Sequence, residues 1–134
     1  MSLSTDLTVL LLLLAPLSAA VLSLLGKLFS SRGVITPAFI LWLVGSIWAL
    51  VAAAPSIFSG VALEYSVGGW LEPYGIGLRV NGLTWIATLT DIVIASAAWL
   101  CTRRYRRFDP LFYFFFFLAL FSLQGLLFTK DIYN

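Results

Sequence analysis

The sequence predicts an all-α integral membrane protein with four transmembrane helices and an extracytoplasmic β-hairpin between the second and third helices. Of its 134 residues, 61% are hydrophobic and only 10% are charged, and the mean hydropathy is +1.02. Soluble domains usually carry about 25% charged residues. One small core cannot bury this excess of apolar side chains, so lipid is the predicted solvent, and residues 1–134 are predicted to form a single membrane domain.

Four apolar stretches are long enough to cross a bilayer, since a membrane helix needs about 20 mostly apolar residues. The predicted spans are 7–26, 34–54, 83–102 and 111–129, with an outside loop at 55–82. Lys27 ends the first span and Pro55 ends the second. The fourth span lies between Pro110 and Lys130.

The first span has an alternative interpretation as a secretory signal peptide. Asp6 precedes it without any Lys or Arg, and its apolar run is longer than the core of a signal peptide. These features favour an uncleaved helix, although residues 18–20 (Ser-Ala-Ala) offer a small-residue cleavage pattern that keeps the alternative open. Pro16 lies within the span, where a proline removes one helical hydrogen bond and is expected to kink the helix.

The basic residues predict the orientation. Two loops, which share one face in any four-span topology, hold six of the eight Lys and Arg residues: Lys27, Arg32, Arg103, Arg104, Arg106 and Arg107. Short loops rich in Lys and Arg stay in the cytoplasm, so both termini are predicted to lie outside. The arginine-rich loop could also bind anionic lipid headgroups, but topology signalling is the favoured interpretation.

Residues 55–82 are predicted to contain a β-hairpin. Apolar residues alternate with polar ones on both sides of the turn-prone segment 72–75, at Leu63, Tyr65, Val67, Ile76, Leu78 and Val80. Glu64 and Arg79 fall on the polar face, where they are expected to pair across the strands. Trp70 and Tyr74 at the tip suit the headgroup layer of a membrane.

Asp91 is the charged residue within the third span, where a carboxylate costs about 2.5–3.5 kcal/mol on the lenient insertion scale. Residues at helical spacing from it form a small and polar stripe: Thr84, Ala87, Thr88, Ile94, Ala95 and Ala98. Trp85, Leu89 and Trp99 are predicted on the opposite side. Asp91 is therefore expected to face protein. Two interpretations stay open: a proton or cation relay, and the favoured one, a neutral hydrogen-bonded residue that locks a helix contact.

Gln124 is the second polar residue at membrane depth, and an interhelical hydrogen bond is its expected role, with direct transport as the alternative. The phenylalanine-rich run 112–117 is expected to serve as both lipid-facing and core surface. Cys101 is expected to be a small buried hydrophobe. A lone cysteine and the absence of histidine exclude an internal disulfide and a Cys/His metal site. No catalytic residue, cofactor or metal ligand is predicted, and a net charge of +2 gives no reason to expect a nucleic-acid partner.

Three segments resemble one family over essentially the whole chain. The segment 125–134 (Gly-Leu-Leu-Phe-Thr-Lys-Asp-Ile-Tyr-Asn) resembles the G-x-x-x-T-x-D-x-[FY]-N element of D-type subunits of multisubunit (Mrp-type) Na⁺/H⁺ antiporters. Related antiporter-like subunits of complex I and of membrane-bound hydrogenases share this element. The segments 68–76 (Gly-Gly-Trp followed by Pro-Tyr-Gly-Ile) and 14–20 are similar to the hairpin and opening helix of the same family.

The resemblance implies the same topology that the charges predict. It also implies a fifth helix with a glutamate and later helices with lysines, none of which this sequence contains. No transport residue is therefore carried over, and Asp131 and Asn134 match the family at a structural turn into a fifth helix. The sequence departs from the family at Asn81, where an aspartate is usual, and at Asp91, where an uncharged residue is usual.

Three hypotheses follow for function. The first is an N-terminal fragment or split piece of an antiporter-like subunit, acting only within a larger complex in monovalent cation/proton antiport or redox-driven proton pumping. The second is a non-transporting structural or assembly subunit of a respiratory or hydrogenase complex. The third is an unrelated four-span enzyme or small transporter centred on Asp91. The expected partners are other membrane subunits, the bilayer and protons or Na⁺, and the expected location is the cell membrane, with multiple passes.

Overall fold

A computed structural model of the chain describes residues 3–30, 32–67, 76–105 and 108–130. These residues form four long helices, one short 3-10 helix at Arg32–Val34 and two strands. The elements in chain order are α1 (Leu3–Leu28), α2 (Ile35–Phe58), β1 (Leu63–Ser66), β2 (Gly77–Val80), α3 (Gly82–Tyr105) and α4 (Pro110–Phe128). All four long helices have the length and apolar composition needed to cross a membrane.

The helices extend beyond most of the predicted boundaries, and α2 shows why. It continues through Pro55 to Phe58 instead of ending at residue 54. A proline deletes only its own N–H bond, and the N–H groups of Ser59 and Val61 still reach the carbonyls of Pro55 and Ser56 at 3.1 and 2.9 Å. The helix ends at Phe58, and Gly60, whose φ of 82° suits glycine, turns the chain away two residues later. Similarly, α1 is continuous through Pro16.

The bundle is organised around α1, which packs along both α2 and α4, while α3 rests against α2 and α4. Small side chains line the interior of the first two helices, including Ala15, Ala19, Ala38, Ala49 and Ala53. Small residues let helix backbones approach closely, which favours van der Waals packing between apolar helices.

Gly45 of α2 faces α1 at close range. A Cβ atom added there would lie 3.4 Å from Ala15 Cβ, at van der Waals contact, so a side chain larger than alanine would press against α1. We expect Gly45→Leu to destabilise the bundle by about 1–3 kcal/mol through overpacking. Unfolding in mixed detergent–SDS micelles, followed by circular dichroism, measures the effect. The neighbouring Val44 is 60% exposed, so Val44→Leu is the matched control, and equal losses in the two variants would contradict this packing.

Aromatic rings of α2 pack against rings of α3 and α4. Trp42 and Phe117 are fully buried, and their ring centroids lie 6.0 Å apart between α2 and α4. Phe39 stacks on Trp99 of α3 at 3.9 Å. In the phenylalanine-rich run, Phe117 is buried and Phe115 is 57% exposed, which matches the mixed surface predicted for it.

The two strands form the predicted antiparallel hairpin. Leu63 pairs with Val80 and Glu64 with Arg79, so the buried residues share one face and the charged residues share the other. Arg79 Nε lies 3.6 Å from Glu64 Oε1, and Lys130 Nζ also lies 3.6 Å from Glu64 Oε2. The Glu64–Arg79 pair was predicted and Lys130 was not. Since these side chains are partly exposed, the ion pairs contribute about 1 kcal/mol at most.

The end of α4 is attached to the same hairpin. Thr129 forms a bridge with Leu78, and the backbone N–H of Lys130 donates to Gly77 O at 2.9 Å. This contact fixes where the chain leaves α4. The hairpin tip with Trp70 and Tyr74, and the family-motif residues Asp131 and Asn134, lie outside the described residues.

Candidate functional site

Asp91 and Gln124 form a buried polar pair between α3 and α4. Gln124 Nε2 donates to Asp91 Oδ2 at 3.4 Å, a long hydrogen bond. Gln124 is fully buried and Asp91 is 8% exposed. Asp91 thus lies on the protein side of α3, and Gln124 makes an interhelical hydrogen bond, as the sequence suggested for each. Their part in transport stays a prediction.

The buried face of α3 contains most of the stripe that the sequence predicted but is wider than it. Thr88 and Ala95 are buried beside Asp91, but Ile94 is 63% exposed. On the predicted opposite side, Trp85 Nε1 donates to Leu50 O of α2 at 3.0 Å, and Trp99 stacks on Phe39. The prediction for these two tryptophans was therefore wrong.

The physical reason is that α3 lies against two helices, so its buried sector is wide. At 100° per residue, this sector runs from Asp91 through Ala95 and Thr88 to Trp99 and Trp85. Asp91 marks one edge of the sector, next to the exposed Ile94. Asp91 is itself only 8% exposed, so the bundle covers it although it borders the outer face of α3.

No basic side chain accompanies Asp91 in the described part of the chain. The helix α2 carries no charged residue, and the charges of α1 lie toward its ends, at Asp6 and Lys27. Arg103 and Arg104 lie in the last turn of α3. Gln124 therefore provides the one hydrogen bond that the structure shows for the Asp91 carboxyl group.

Ser46 on α2 is another buried polar residue, and it was not predicted from the sequence. It is fully buried, and neither its Oγ nor Gln124 Oε1 has a hydrogen-bond partner among the described protein groups. A serine inside an apolar span usually donates to the carbonyl four residues earlier, so its sequence context alone suggested nothing unusual. Its burial without a hydrogen-bond partner was the missing information.

The arginine-rich end of the bundle holds its charges in specific contacts. Lys27 Nζ and Asp109 Oδ2 are 2.6 Å apart, and Asp109 also caps α4 by accepting from the N–H of Leu111. Arg103 donates to Thr36 of α2 and lies over the Trp99 ring, 5.1 Å from its centroid. Arg106 and Arg107 lie outside the described residues.

Cys101 is exposed, so the prediction of a buried cysteine was wrong. It follows Ala97 by four residues on the outward face of α3, and burial of that face depends on contacts that an apolar sequence does not specify. Among the described residues, no group of three or more His, Cys, Asp or Glu side chains could hold a metal ion.

The chain was compared with protein-family models, curated proteins and solved structures, and none of them matched. The site is therefore interpreted from its own geometry. It offers a carboxyl group, a carboxamide and a hydroxyl group in the interior of an apolar helix bundle, a set of groups that can bind a proton or a small polar species.

Proposed function

We propose that this chain is the N-terminal part of an antiporter-like membrane subunit and works within a larger proton- or cation-translocating complex. In this proposal the four helices cross the cell membrane, and the arginine-rich end faces the cytoplasm. The hairpin and both chain ends lie outside. The coupled process is monovalent cation/proton antiport or redox-driven proton pumping.

The observation that supports membership of a larger complex is the outer surface of α3. Of the 18 residues in the most apolar stretch of α3, only 22% are buried within the bundle, whereas 44% are buried in the corresponding stretch of α1. Asp91, with one long hydrogen bond, lies at the edge of this surface. A carboxyl group at membrane depth is costly, so a neighbouring helix packed over α3 would stabilise it by keeping lipid away.

The resemblance of segment 125–134 to antiporter-like subunits supports the choice of complex. In the structure, the beginning of this segment is anchored, because Thr129 and Lys130 pair with β2. The hairpin would thus fix the position from which a following helix could depart. This support role needs no proton-conducting residue in the four helices themselves.

The proposal is tested by the size and content of the complex. The tagged chain, produced at its native level, is extracted in mild detergent and separated by native electrophoresis, with an untagged strain as control. We expect it to migrate far above its own 14.8 kDa and to purify with a polypeptide that carries a membrane-embedded glutamate early in an apolar helix. Migration as a lone chain would overturn the proposal.

A second candidate is a non-transporting assembly subunit of a respiratory or hydrogenase complex. The exposed face of α3 favours it equally, since it requires only partner helices. The same purification separates the candidates, because an assembly subunit would purify with a complete set of antiporter-like subunits and with no complementary chain.

A further inference from the structure

Three buried polar groups lie at the same level of the bundle, on three different helices. A Cβ atom added to Gly45 of α2 would lie 3.4 Å from Ala15 Cβ of α1, and one added to Gly125 of α4 would lie 3.8 Å from Leu13 Cδ1. These two positions on α1 are two residues apart, about 3 Å along the helix axis. Ser46 and Gln124, which adjoin the two glycines, are therefore level with each other.

The contacts between α2 and α3 place Asp91 at that level too. Phe39 stacks on Trp99, and Leu50 O accepts from Trp85 Nε1. Because α2 and α3 run in opposite directions between these two contacts, residue numbers rise along α2 as they fall along α3. Ser46, which lies between Phe39 and Leu50, is then at about the level of Asp91, which lies between Trp85 and Trp99. Asp91 is also bonded to Gln124 directly.

The unsatisfied atoms in this group complement one another. The Ser46 hydroxyl group can donate a hydrogen bond and Gln124 Oε1 can accept one. Neither has a hydrogen-bond partner among the described protein groups. Leaving such a buried group unpaired costs about 1–3 kcal/mol. A water molecule with polar partners on two or more sides is the usual way in which protein interiors satisfy such atoms.

We propose that Asp91, Gln124 and Ser46 form a proton-binding site inside the bundle, with the proton on the Asp91 carboxyl group and one water molecule between Gln124 Oε1 and Ser46 Oγ. The water donates to Gln124 Oε1 and accepts from the Ser46 hydroxyl group. This inference deepens the proposed function by naming the bound ion, and rests on it only for the position of the bundle in a membrane.

The surrounding groups favour a proton over a metal cation. Hard metal cations take about six oxygen ligands, more than the described side chains of Asp91, Gln124, Ser46 and the neighbouring Thr88 supply. The described charged residues of α1 and α3 other than Asp91 lie in first or last turns, at Asp6, Lys27, Arg103 and Arg104, and the other described titratable side chains on the helices are Cys101 and Tyr113. A proton neutralises the buried carboxylate with no further ligand.

Infrared difference spectroscopy tests the proton directly. The protein is purified with the subunits that accompany it, and the spectrum of Asp91→Asn is subtracted from that of the wild type at pH 7. We expect the carbonyl stretch of one protonated carboxylic acid, lost in the variant. A difference confined to carboxylate bands would overturn the proposal, including the case in which a partner's basic residue pairs with Asp91.

Two further variants test the other members of the site. Gln124→Leu and Ser46→Ala should each shift this carbonyl band, because each removes a group from the hydrogen-bonded chain around Asp91. The matched control is Ser122→Ala on α4, since Ser122 is exposed and donates to Leu118 O of its own helix at 2.9 Å. A band that Ser46→Ala leaves unmoved would remove Ser46 from the site.

Chemical labelling of the wild-type protein needs no variant and so avoids any failure to fold. A lipid-soluble dialkylcarbodiimide reacts with a protonated carboxyl group, whose oxygen bonds to the carbodiimide carbon while its proton moves to nitrogen. We expect Asp91 to be labelled and Glu64, which is exposed and ion-paired, to be spared. Protection of Asp91 by added Na⁺ would overturn the proposal in favour of a metal cation, and absence of Asp91 labelling would also contradict it.

Discussion

Trp42→Ala should destabilise the bundle by about 3 kcal/mol, the largest loss expected for any single substitution described for this protein. Trp42 is fully buried and packs against Phe39 and Phe117 at ring distances of 5.4 and 6.0 Å. Truncating a buried tryptophan usually costs about 3–5 kcal/mol. The lower end of this range is expected, because membrane helices that separate stay in an apolar solvent. The free energy lost on truncation is then that of side-chain packing alone.

Two matched tryptophan variants isolate the cause. Trp48 lies on the same helix and is 52% exposed, so Trp48→Ala should change stability by about 0.5 kcal/mol or less. Trp42→Phe keeps a ring while removing the Nε1–H group, which is buried and has no hydrogen-bond partner among the residues that the structure describes, and it should cost far less than alanine. The measurement is unfolding in mixed detergent–SDS micelles. Equal losses for Trp42→Ala and Trp48→Ala would place the packing centre elsewhere.

Gln124→Leu should cost about 1–3 kcal/mol, because it leaves the buried carboxyl group of Asp91 without its hydrogen-bond donor. Asp91→Leu should cost a similar amount by leaving the Gln124 amide unpaired. The double variant should recover part of the loss, since replacing both partners leaves no orphaned polar group. The coupling energy between the two sites is expected at about 0.6–1.7 kcal/mol, the range of hydrogen bonds between membrane helices.

Strict additivity of the two variants in the same unfolding measurement would mean that the pair does not interact. Ser122→Ala is the control for a polar deletion on α4, because its hydroxyl group bonds within its own helix. It should leave stability unchanged within about 0.5 kcal/mol.

The sequence predicted those features that depend on length and period. The four apolar runs form four helices, because a helix makes its own backbone hydrogen bonds and about 20 apolar residues suffice to cross a membrane. The hairpin register, with Glu64 opposite Arg79, followed from alternation on both sides of a turn. Burial of Asp91 followed from the cost of exposing a carboxyl group to lipid.

The features that it did not predict depend on the arrangement of neighbouring helices. Helical spacing identified the residues near Asp91, but could not show that α3 lies against two helices and partly buries Trp85 and Trp99. Ser46 gained significance only from its burial without a partner, and Cys101 was misplaced because an apolar sequence does not specify which helix faces are covered. Pro55 was taken as a helix end, whereas α2 ends at Phe58, before the left-handed backbone at Gly60.

The most direct test of the central claim, four membrane crossings with the arginine-rich end in the cytoplasm, is the labelling of two single cysteines. In a Cys101→Ser background, Ser59→Cys and Ser30→Cys place exposed thiols at opposite ends of α2. An impermeant maleimide applied to intact cells should label Ser59→Cys at once and Ser30→Cys only after permeabilisation. Equal labelling of both positions in intact cells, or the reverse pattern, would contradict this topology.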